Sequence, residues 1–102
     1  MKDGGDPFDE PVEIPIEDAI DLHTFAPGDI PSVVESYLAA AAEAGLREVR
    51  IIHGKGIGAQ REAVRRVLEA SPLVARFEQA PPDRGGWGAT IAWLRLRPGA
   101  GP

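Results

Sequence analysis

The chain contains no cysteine, and this absence excludes both a disulfide framework and a cysteine-ligated metal site. No apolar run approaches the roughly 20 residues that a membrane-spanning helix needs, and the N-terminus lacks the basic-then-apolar order of a signal peptide. These absences predict a cytoplasmic protein that does not enter a membrane. Histidine is scarce as well. His23 and His53 are the only two, so each is a candidate for proton transfer near neutral pH.

Positive charge is scarce in the first third of the chain. Residues 1–35 contain ten Asp or Glu and one Lys, whereas residues 36–102 contain ten Lys or Arg and six Asp or Glu. The net charge of −5 disfavours nucleic-acid binding by the chain as a whole, yet a local basic patch still permits it. The central basic residues are Arg47, Arg50, Lys55, Arg61, Arg65 and Arg66. A solvated helix face is the ordinary alternative for such a cluster.

Hydrophobic periodicity and turn residues predict one domain of βαβαββ order. Asp29 is the expected N-cap of the first helix, and Gly45 is its expected C-terminal stop. The order predicts a two-layer α/β sandwich, in which two helices cover a four-stranded mixed sheet and the last two strands form an antiparallel hairpin. The predicted strands cover residues 17–23, 47–53, 73–80 and 87–96, and the predicted helices cover residues 29–44 and 58–70.

The two ends of the chain differ in composition from this domain. Residues 1–15 are acidic and contain several glycines and prolines, which predicts a disordered arm. Residues 98–102 consist of glycine, proline and alanine, which predicts a frayed tail. The folded domain is therefore expected over residues 16–97.

The stretch from residue 51 to residue 58 predicts a phosphate site. Gly54, Gly56 and Gly58 alternate between a buried strand and a helix start, so the backbone can approach a ligand closely and adopt positive φ. The first N–H groups of the helix and its dipole suit an anion. Lys55 adds a charge within this turn. The candidate phosphate-binding residues are Gly54, Lys55, Gly56, Gly58, Arg61 and Arg65.

The two histidines predict acid–base chemistry at the same place. If the first two strands are parallel neighbours, His23 and His53 lie at their carboxyl ends, where open α/β sheets bind ligands. Asp21 shares a strand face with His23 and can set its tautomer. Asp21, His23 and His53 are therefore the candidate catalytic residues. With RNA, the 2′-hydroxyl is the nucleophile and no cofactor is needed. With DNA, water must be activated, usually by a divalent metal such as Mg²⁺ or Mn²⁺.

Each of these residues also has an ordinary structural role. A histidine at a strand end is often a hydrogen-bonded loop residue, Asp21 can cap the turn after its strand, and Lys55 can be solvated. The expected role of Trp87 and Trp93 is packing in the core or on the sheet face rather than base stacking. The second glycine cluster, at residues 85–88, is expected to be a hairpin turn rather than a ligand cradle.

Two further patterns give weaker predictions. Residues 54–59 fit the dinucleotide pattern G-x-G-x-x-A, and Glu78 could serve as the ribose-binding acid. The chain is nevertheless too short for two mononucleotide halves, and the turn follows the second strand rather than the first. The Walker pattern fails because Lys55 stands at the wrong position. Asp21 and the two histidines could ligate a zinc ion, but their spacing does not require one, so no resident metal is predicted.

Three short motifs contain most of these residues: Ile20-Asp21-Leu22-His23, Ile52-His53-Gly54-Lys55-Gly56 and Gly86-Trp87-Gly88-Ala89-Thr90. Together they resemble the signatures of the small MutS-related (Smr) domain, over about residues 16–96. The resemblance implies a βαβαββ sandwich, nucleic-acid binding and, as in several members, endonuclease activity on DNA or RNA, including messenger RNA at stalled ribosomes. It assigns the family's D-x-H residues to Asp21 and His23, and its glycine turn to residues 53–56. Thr24 stands where many members have glycine.

The leading hypothesis is a bacterial, free-standing Smr domain that binds nucleic acid and cleaves it as an endonuclease, with RNA favoured over DNA. The first alternative is a non-catalytic module that binds a nucleic acid, the ribosome or a protein. The second alternative is a small nucleotide-binding domain that uses the same turn.

Overall fold

The computed structural model describes residues 16–56 and 58–95. The predicted arm, residue 96 of the predicted last strand and the predicted tail lie outside these residues. The helices and strands are β1 (Ala19–Asp21), α1 (Ile30–Glu43), β2 (Glu48–Ile52), α2 (Gly58–Ala70), β3 (Val74–Gln79) and β4 (Ala89–Leu94). The predicted βαβαββ order is confirmed. In this part of the chain, no helix is long and apolar enough to cross a membrane.

The four strands form one mixed sheet in the order β1-β2-β4-β3. β1 and β2 are parallel, and β4 is antiparallel to both of its neighbours, β2 and β3. The expected pairing of the last two strands is therefore confirmed. This topology places the carboxyl ends of β1 and β2 at the same edge of the sheet as the amino end of β4. The three motifs therefore meet at one edge, although Gly86 lies 66 positions after Ile20 in the chain.

The hydrophobic core lies between the two helices and one face of the sheet. Its fully buried side chains come from both layers: Leu22, Ile30, Val34, Leu38, Ala41, Val49, Ile51, Val64, Leu68 and Ala92. Truncating one of the larger side chains to alanine in such a core costs about 2–5 kcal/mol. The outer face of the sheet has a small apolar cluster of its own, centred on Ala80, Ala89 and Ile91. Apolar side chains thus partly cover both faces of β2 and β4, and these strands provide a rigid base for the sheet edge at which the three motifs meet.

The two ends of α1 show one wrong prediction and one confirmed prediction. Asp29 makes no capping hydrogen bond through its side chain, because its backbone is helical (φ −91°, ψ −11°) and continues a 3-10 turn, Pro27–Asp29. An N-cap side chain normally reaches the helix from an extended backbone. Gly45 ends the helix as predicted, with φ of 83°, and the N–H of Leu46 donates to the carbonyl of Ala41 at 3.0 Å.

The strands are shorter than predicted, and β4 begins later. Residues 87 and 88, predicted as the start of the last strand, form a 3-10 turn with Gly86 instead. Trp87 is therefore not part of the alternating pattern of β4, and 63% of its surface is exposed. The expectation that Trp87 packs in the core or on the sheet face is wrong. Trp93 does lie on the outer face of the sheet, where it is half-buried against the apolar cluster.

Candidate functional site

Hydrogen bonds between backbones join the three motifs at the carboxyl edge of the sheet. The N–H of Leu22 donates to the carbonyl of Ile52 at 2.9 Å, which fixes the end of β1 beside the end of β2. The N–H groups of His53 and Gly54 both donate to the carbonyl of Gly88 at 2.9 Å. Because each motif is hydrogen-bonded to the next, the three motifs form one connected structure at this edge. A substitution that moves the backbone of one motif would therefore also move the backbone of its neighbour.

The first motif presents an exposed carboxylate–imidazole pair. One carboxylate oxygen of Asp21 accepts hydrogen bonds from Nδ1 of His23 at 2.8 Å and from the backbone N–H of His23 at 3.0 Å. These bonds lower the pKa of Asp21, the backbone N–H having the larger effect. Since a carboxylate only accepts, the proton lies on Nδ1 of His23. Nε2 of His23 then carries the lone pair, and 76% of this side chain is exposed.

The second histidine is enclosed. His53 is 3% exposed, Nδ1 lies 3.1 Å from the carbonyl oxygen of Gly54, and Nε2 lies 3.0 Å from the hydroxyl oxygen of Thr90. The carbonyl only accepts, so Nδ1 donates to it and Nε2 accepts from Thr90. Burial lowers the pKa of His53, the bond to Gly54 opposes that shift, and the charge of Arg61 adds to it. His53 thus lies at the carboxyl end of β2, as expected, but it has the buried, hydrogen-bonded environment of the ordinary alternative for a histidine at a strand end.

The glycine turn depends on two glycines for different reasons. Gly54 adopts φ of 88°, a left-handed backbone that other residues adopt only with strain. Gly88 allows close approach, since a Cβ there would lie 3.2 Å from Cγ of Lys55 and 3.5 Å from the backbone of Gly54. Gly56 has neither a positive φ nor a close neighbour. The expected need for positive φ thus applies to Gly54, and the second glycine cluster supports the turn as well as reversing the chain.

A small cavity opens beside this turn. Its lining residues are Gly54, Lys55, Gly58, Arg61 and Trp87, and its volume is about 160 Å³. The guanidinium of Arg61 lies 5.7 Å from the centre of the Trp87 ring, within the range of a cation–π contact. The cavity therefore combines two cations, an aromatic face and the first residue of α2. Its size suits a phosphate-sized group and is well below the roughly 300 Å³ of a small-molecule pocket.

Arg65, predicted as a phosphate-binding residue with Arg61, has a different environment. Its guanidinium donates to the carboxylates of Glu62 and Glu69 on the same helix. Arg65 does not line the cavity beside the turn. Arg65 therefore lies on a solvated helix face and is paired with carboxylates, as in the ordinary alternative for this cluster.

A family model for the Smr domain matches residues 20–95. This chain belongs to the Smr family. Curated relatives include the Endonuclease MutS2 proteins of Carboxydothermus hydrogenoformans, 48% identical over 63 residues, and of Thermus thermophilus, 38% identical over 76 residues. The alignments cover 62% and 74% of this chain but 8% and 10% of those two proteins. The chain thus spans a tenth or less of the MutS2 proteins it matches.

Solved structures support the same assignment. The Smr domain of Thermus thermophilus MutS2 superposes with a TM-score of 0.73 at 37% identity, covering 78% of this chain and 99% of that one. YdaL, a stand-alone small MutS-related protein from Escherichia coli, superposes with a TM-score of 0.72 at 32% identity, covering 76% of this chain and 64% of that one. The resemblance inferred from the three motifs is confirmed, and so is the predicted fold class.

Two residues of this Smr domain have roles that sequence reasoning missed. Thr90 holds the imidazole of His53, and the pairing of Ile51 with Thr90 explains how the third motif reaches the second. Trp87 lies on the surface beside the turn instead of packing inside. The neighbouring glycines were the available signal for Trp87, since a tryptophan between two glycines is a poor candidate for a strand interior.

The carboxylate–imidazole pair does not extend into a three-residue metal site. Within residues 16–56 and 58–95, no three His, Asp or Glu side chains are placed to hold one ion. The site considered from the sequence, Asp21 with both histidines, is not assembled in this Smr domain, because the ring of His53 is enclosed against Thr90.

Proposed function

We propose that this Smr domain binds RNA at the carboxyl edge of its sheet and cleaves its phosphodiester backbone. The observation that carries the proposal is the exposed Asp21–His23 pair on the same sheet edge as the cationic turn. The relatives named Endonuclease MutS2 support nuclease chemistry for the family. The preference for RNA and the cleavage itself are properties that we assign to this chain.

Binding depends on the residues around the turn. Lys55 and Arg61 flank the cavity, and both can contact a phosphate oxygen. The N–H groups of Lys55 and Gly56 donate to no backbone carbonyl within residues 16–56 and 58–95, which leaves them available to the same anion. The N–H groups of His53 and Gly54 are unavailable, since the carbonyl of Gly88 accepts from both. The phosphate contact is therefore assigned to residues 55, 56, 58 and 61.

Cleavage depends on His23. Nε2 of His23 takes the proton of a ribose 2′-hydroxyl, the resulting oxygen attacks the adjacent phosphorus, and the bond to the 5′-oxygen of the next nucleotide breaks. That 5′-oxygen takes up a proton from water as it leaves, so the products are a 2′,3′-cyclic phosphate and a 5′-hydroxyl, and His23 later returns its proton to solvent. The carboxylate of Asp21 stabilises the imidazolium that forms on His23. His53 supports the turn rather than transferring protons, because both of its ring nitrogens are engaged.

The experiment compares labelled single-stranded RNA, duplex DNA and branched DNA, each with magnesium, with manganese and with a chelator. RNA should be cut in all three conditions, with a 2′,3′-cyclic phosphate on the product, and His23→Ala should lower the rate by about 10²–10⁴-fold. A substrate that is cut only with metal, and without a cyclic product, would replace the proposal with metal-dependent attack by water. A contaminating ribonuclease is excluded if the activity of His23→Ala falls in an identical preparation.

Binding without cleavage is a second candidate function, and one observation favours it. The Asp21–His23 pair does not line the cavity beside the turn, so phosphate binding needs neither residue. In that case the wild-type protein retains nucleic acid or ribosomes on a filter, leaves every substrate intact, and loses no affinity with His23→Ala. The nucleotide-binding alternative has less support, because the cavity of about 160 Å³ would leave most of a nucleotide outside.

A further inference from the structure

Trp87 is a large apolar side chain that lies outside both hydrophobic clusters of the fold. It is 63% exposed, compared with 36% and 38% for Ile16 and Phe25, the other exposed large hydrophobic residues in the described part of the chain. A tryptophan is usually highly buried because its surface stabilises a core or an interface. Since the Trp87 side chain adds little to the core, its position on the surface indicates that it contacts a binding partner.

The backbone around Trp87 is held firmly. Gly86 and Gly88 are buried on either side of it, and the N–H of Gly86 donates to the carbonyl of Pro81 at 2.9 Å. A Cβ at Gly85 would lie 2.8 Å from Cβ of Ala89, so this segment packs tightly against the start of β4. The indole is therefore presented from a rigid turn, and a partner would bind it with little loss of backbone entropy.

The neighbours of Trp87 indicate the chemistry of that partner. Lys55 and Arg61 share its cavity, and Arg61 lies at cation–π distance from its ring. A flat apolar surface beside two cations is complementary to a nucleotide, whose base has a π face and whose phosphate is an anion. The cavity holds a phosphate-sized group, while the exposed ring extends the site by one aromatic surface.

We infer that Trp87 stacks on one unpaired base while the adjoining phosphate binds between Lys55 and Arg61. This inference rests on the proposed function and adds its substrate class, which is single-stranded nucleic acid. The faces of bases inside a duplex are covered by their neighbours, so a surface ring can stack only on a base that is unpaired or splayed out. A duplex can still reach the two cations, but it gains nothing from Trp87.

The experiment uses tryptophan fluorescence of the whole 102-residue chain. Trp93→Phe removes the other tryptophan, whose ring is covered by the guanidinium of Arg76 at 3.8 Å, so that the remaining emission comes from Trp87. Titration with a ten-nucleotide single-stranded RNA should quench this emission, whereas a duplex of the same sequence should leave it nearly unchanged. Quenching of equal size by both would contradict single-strand selection.

Substitution of Trp87 tests the energy of the contact. Trp87→Ala should weaken single-strand binding by about 5- to 150-fold, the usual effect of losing one stacked base, and should leave duplex affinity unchanged. Trp87→Phe should retain most of the single-strand affinity because it keeps an aromatic face. Melting curves of both variants check that the turn still folds. If Trp87→Ala binds single strands as the wild type does, the inference is wrong.

The outcomes separate this inference from the proposed function. If the wild-type protein binds and cuts RNA and Trp87→Ala does so with equal affinity, the stacking inference fails while the proposed function stands. If Trp87→Ala loses single-strand affinity but the wild type cuts nothing, stacking stands and cleavage fails. If the wild type retains neither single strands nor duplexes on a filter, both proposals fail.

Discussion

The ends of β1 and β2 are adjacent and parallel, and a histidine follows each strand within two residues, yet the two histidines have opposite environments. His23 is exposed beside a carboxylate, whereas His53 is 3% exposed and bonded through both ring nitrogens. The same residue type at equivalent strand ends therefore serves two purposes. Burial decides between them, because a general base needs a free nitrogen and access to substrate, and a structural histidine needs neither.

This difference divides the edge into a region for chemistry and a region for support. Asp21 is the last residue of β1 and His23 lies in the turn that follows, where both side chains are exposed. His53 lies under the turn, where it joins the Gly54 carbonyl to the Thr90 hydroxyl.

Replacing His23 should remove activity without loosening the fold. We expect His23→Ala to lower RNA cleavage by about 10²–10⁴-fold, as for loss of a general acid or base, while the free energy of unfolding changes by less than about 0.5 kcal/mol. Single-turnover cleavage and urea unfolding measure the two quantities. Asp21→Asn should lower cleavage in the same direction. Asp29→Asn is the matched control, because the side chain of Asp29 makes no capping hydrogen bond.

An unchanged cleavage rate in His23→Ala would remove His23 from the chemistry. A variant that unfolds would make His23 structural, and the contrast with His53 would disappear.

Replacing His53 should have the opposite pattern. His53→Ala leaves the buried hydroxyl of Thr90 without its partner, and such an unsatisfied group costs about 1–3 kcal/mol. Thr90→Val breaks the same bond from the other side and should destabilise the protein by a comparable amount. Urea unfolding of both variants and of the double variant gives the coupling between them. If His53→Ala keeps full stability and loses only cleavage, the catalytic role first considered for His53 is correct instead.

The sequence was sufficient to predict features that depend on neighbouring residues. The limits of α2 at Gly58 and Ala70, and the end of α1 at Gly45, follow from local patterns. The shared edge of β1 and β2 follows from the rule that a strand, a helix and a second strand form a parallel crossover. The pair of Asp21 and His23 was also indicated locally, but for a different reason from the shared strand face that was expected: β1 ends at Asp21, whose carboxylate accepts from the backbone N–H and the ring of His23 in the turn that follows.

Features that depend on distant contacts could not be predicted. The burial of His53 depends on Thr90, which lies 37 residues further along the chain. The exposure of Trp87 depends on a 3-10 turn that delays β4 by two residues relative to the predicted start. The environments of Arg61 and Arg65 differ for a local reason, because Glu62 and Glu69 pair with Arg65 from three and four residues away on the same helix, a spacing signal that sequence reasoning missed. The environments of His53 and Trp87 are thus set by contacts that form only when distant parts of the chain come together in the folded protein.

The cations of the turn should contribute to binding rather than to the chemical step. Each phosphate contact adds about 0.7 to the slope of log affinity against log salt on a single strand. Changing both Lys55 and Arg61 to Ala should therefore lower that slope by about 1.4, while cleavage at saturating RNA changes little. Arg65→Ala is the matched control, since its guanidinium is paired with carboxylates. An equal loss of slope in Arg65→Ala would extend the phosphate site along α2.

The smallest expected effect is a dependence of stability on pH that comes from His53. Burial lowers the pKa of His53 below its ordinary value of 6.5, so the unfolded chain binds a proton more readily than the folded protein does. The stability that the neutral ring contributes is therefore fully present above pH 6.5 and is lost as the pH falls from there toward the folded-state pKa.

Asp21 titrates at much lower pH, because its own pKa is lowered, so it does not interfere in this range. Urea unfolding between pH 7.5 and about 5 should show a decline in the wild type that is smaller in His53→Gln, which cannot be protonated. An equally steep decline in His53→Gln would contradict this prediction, because the buried ring of His53 would then not be the source of the pH dependence.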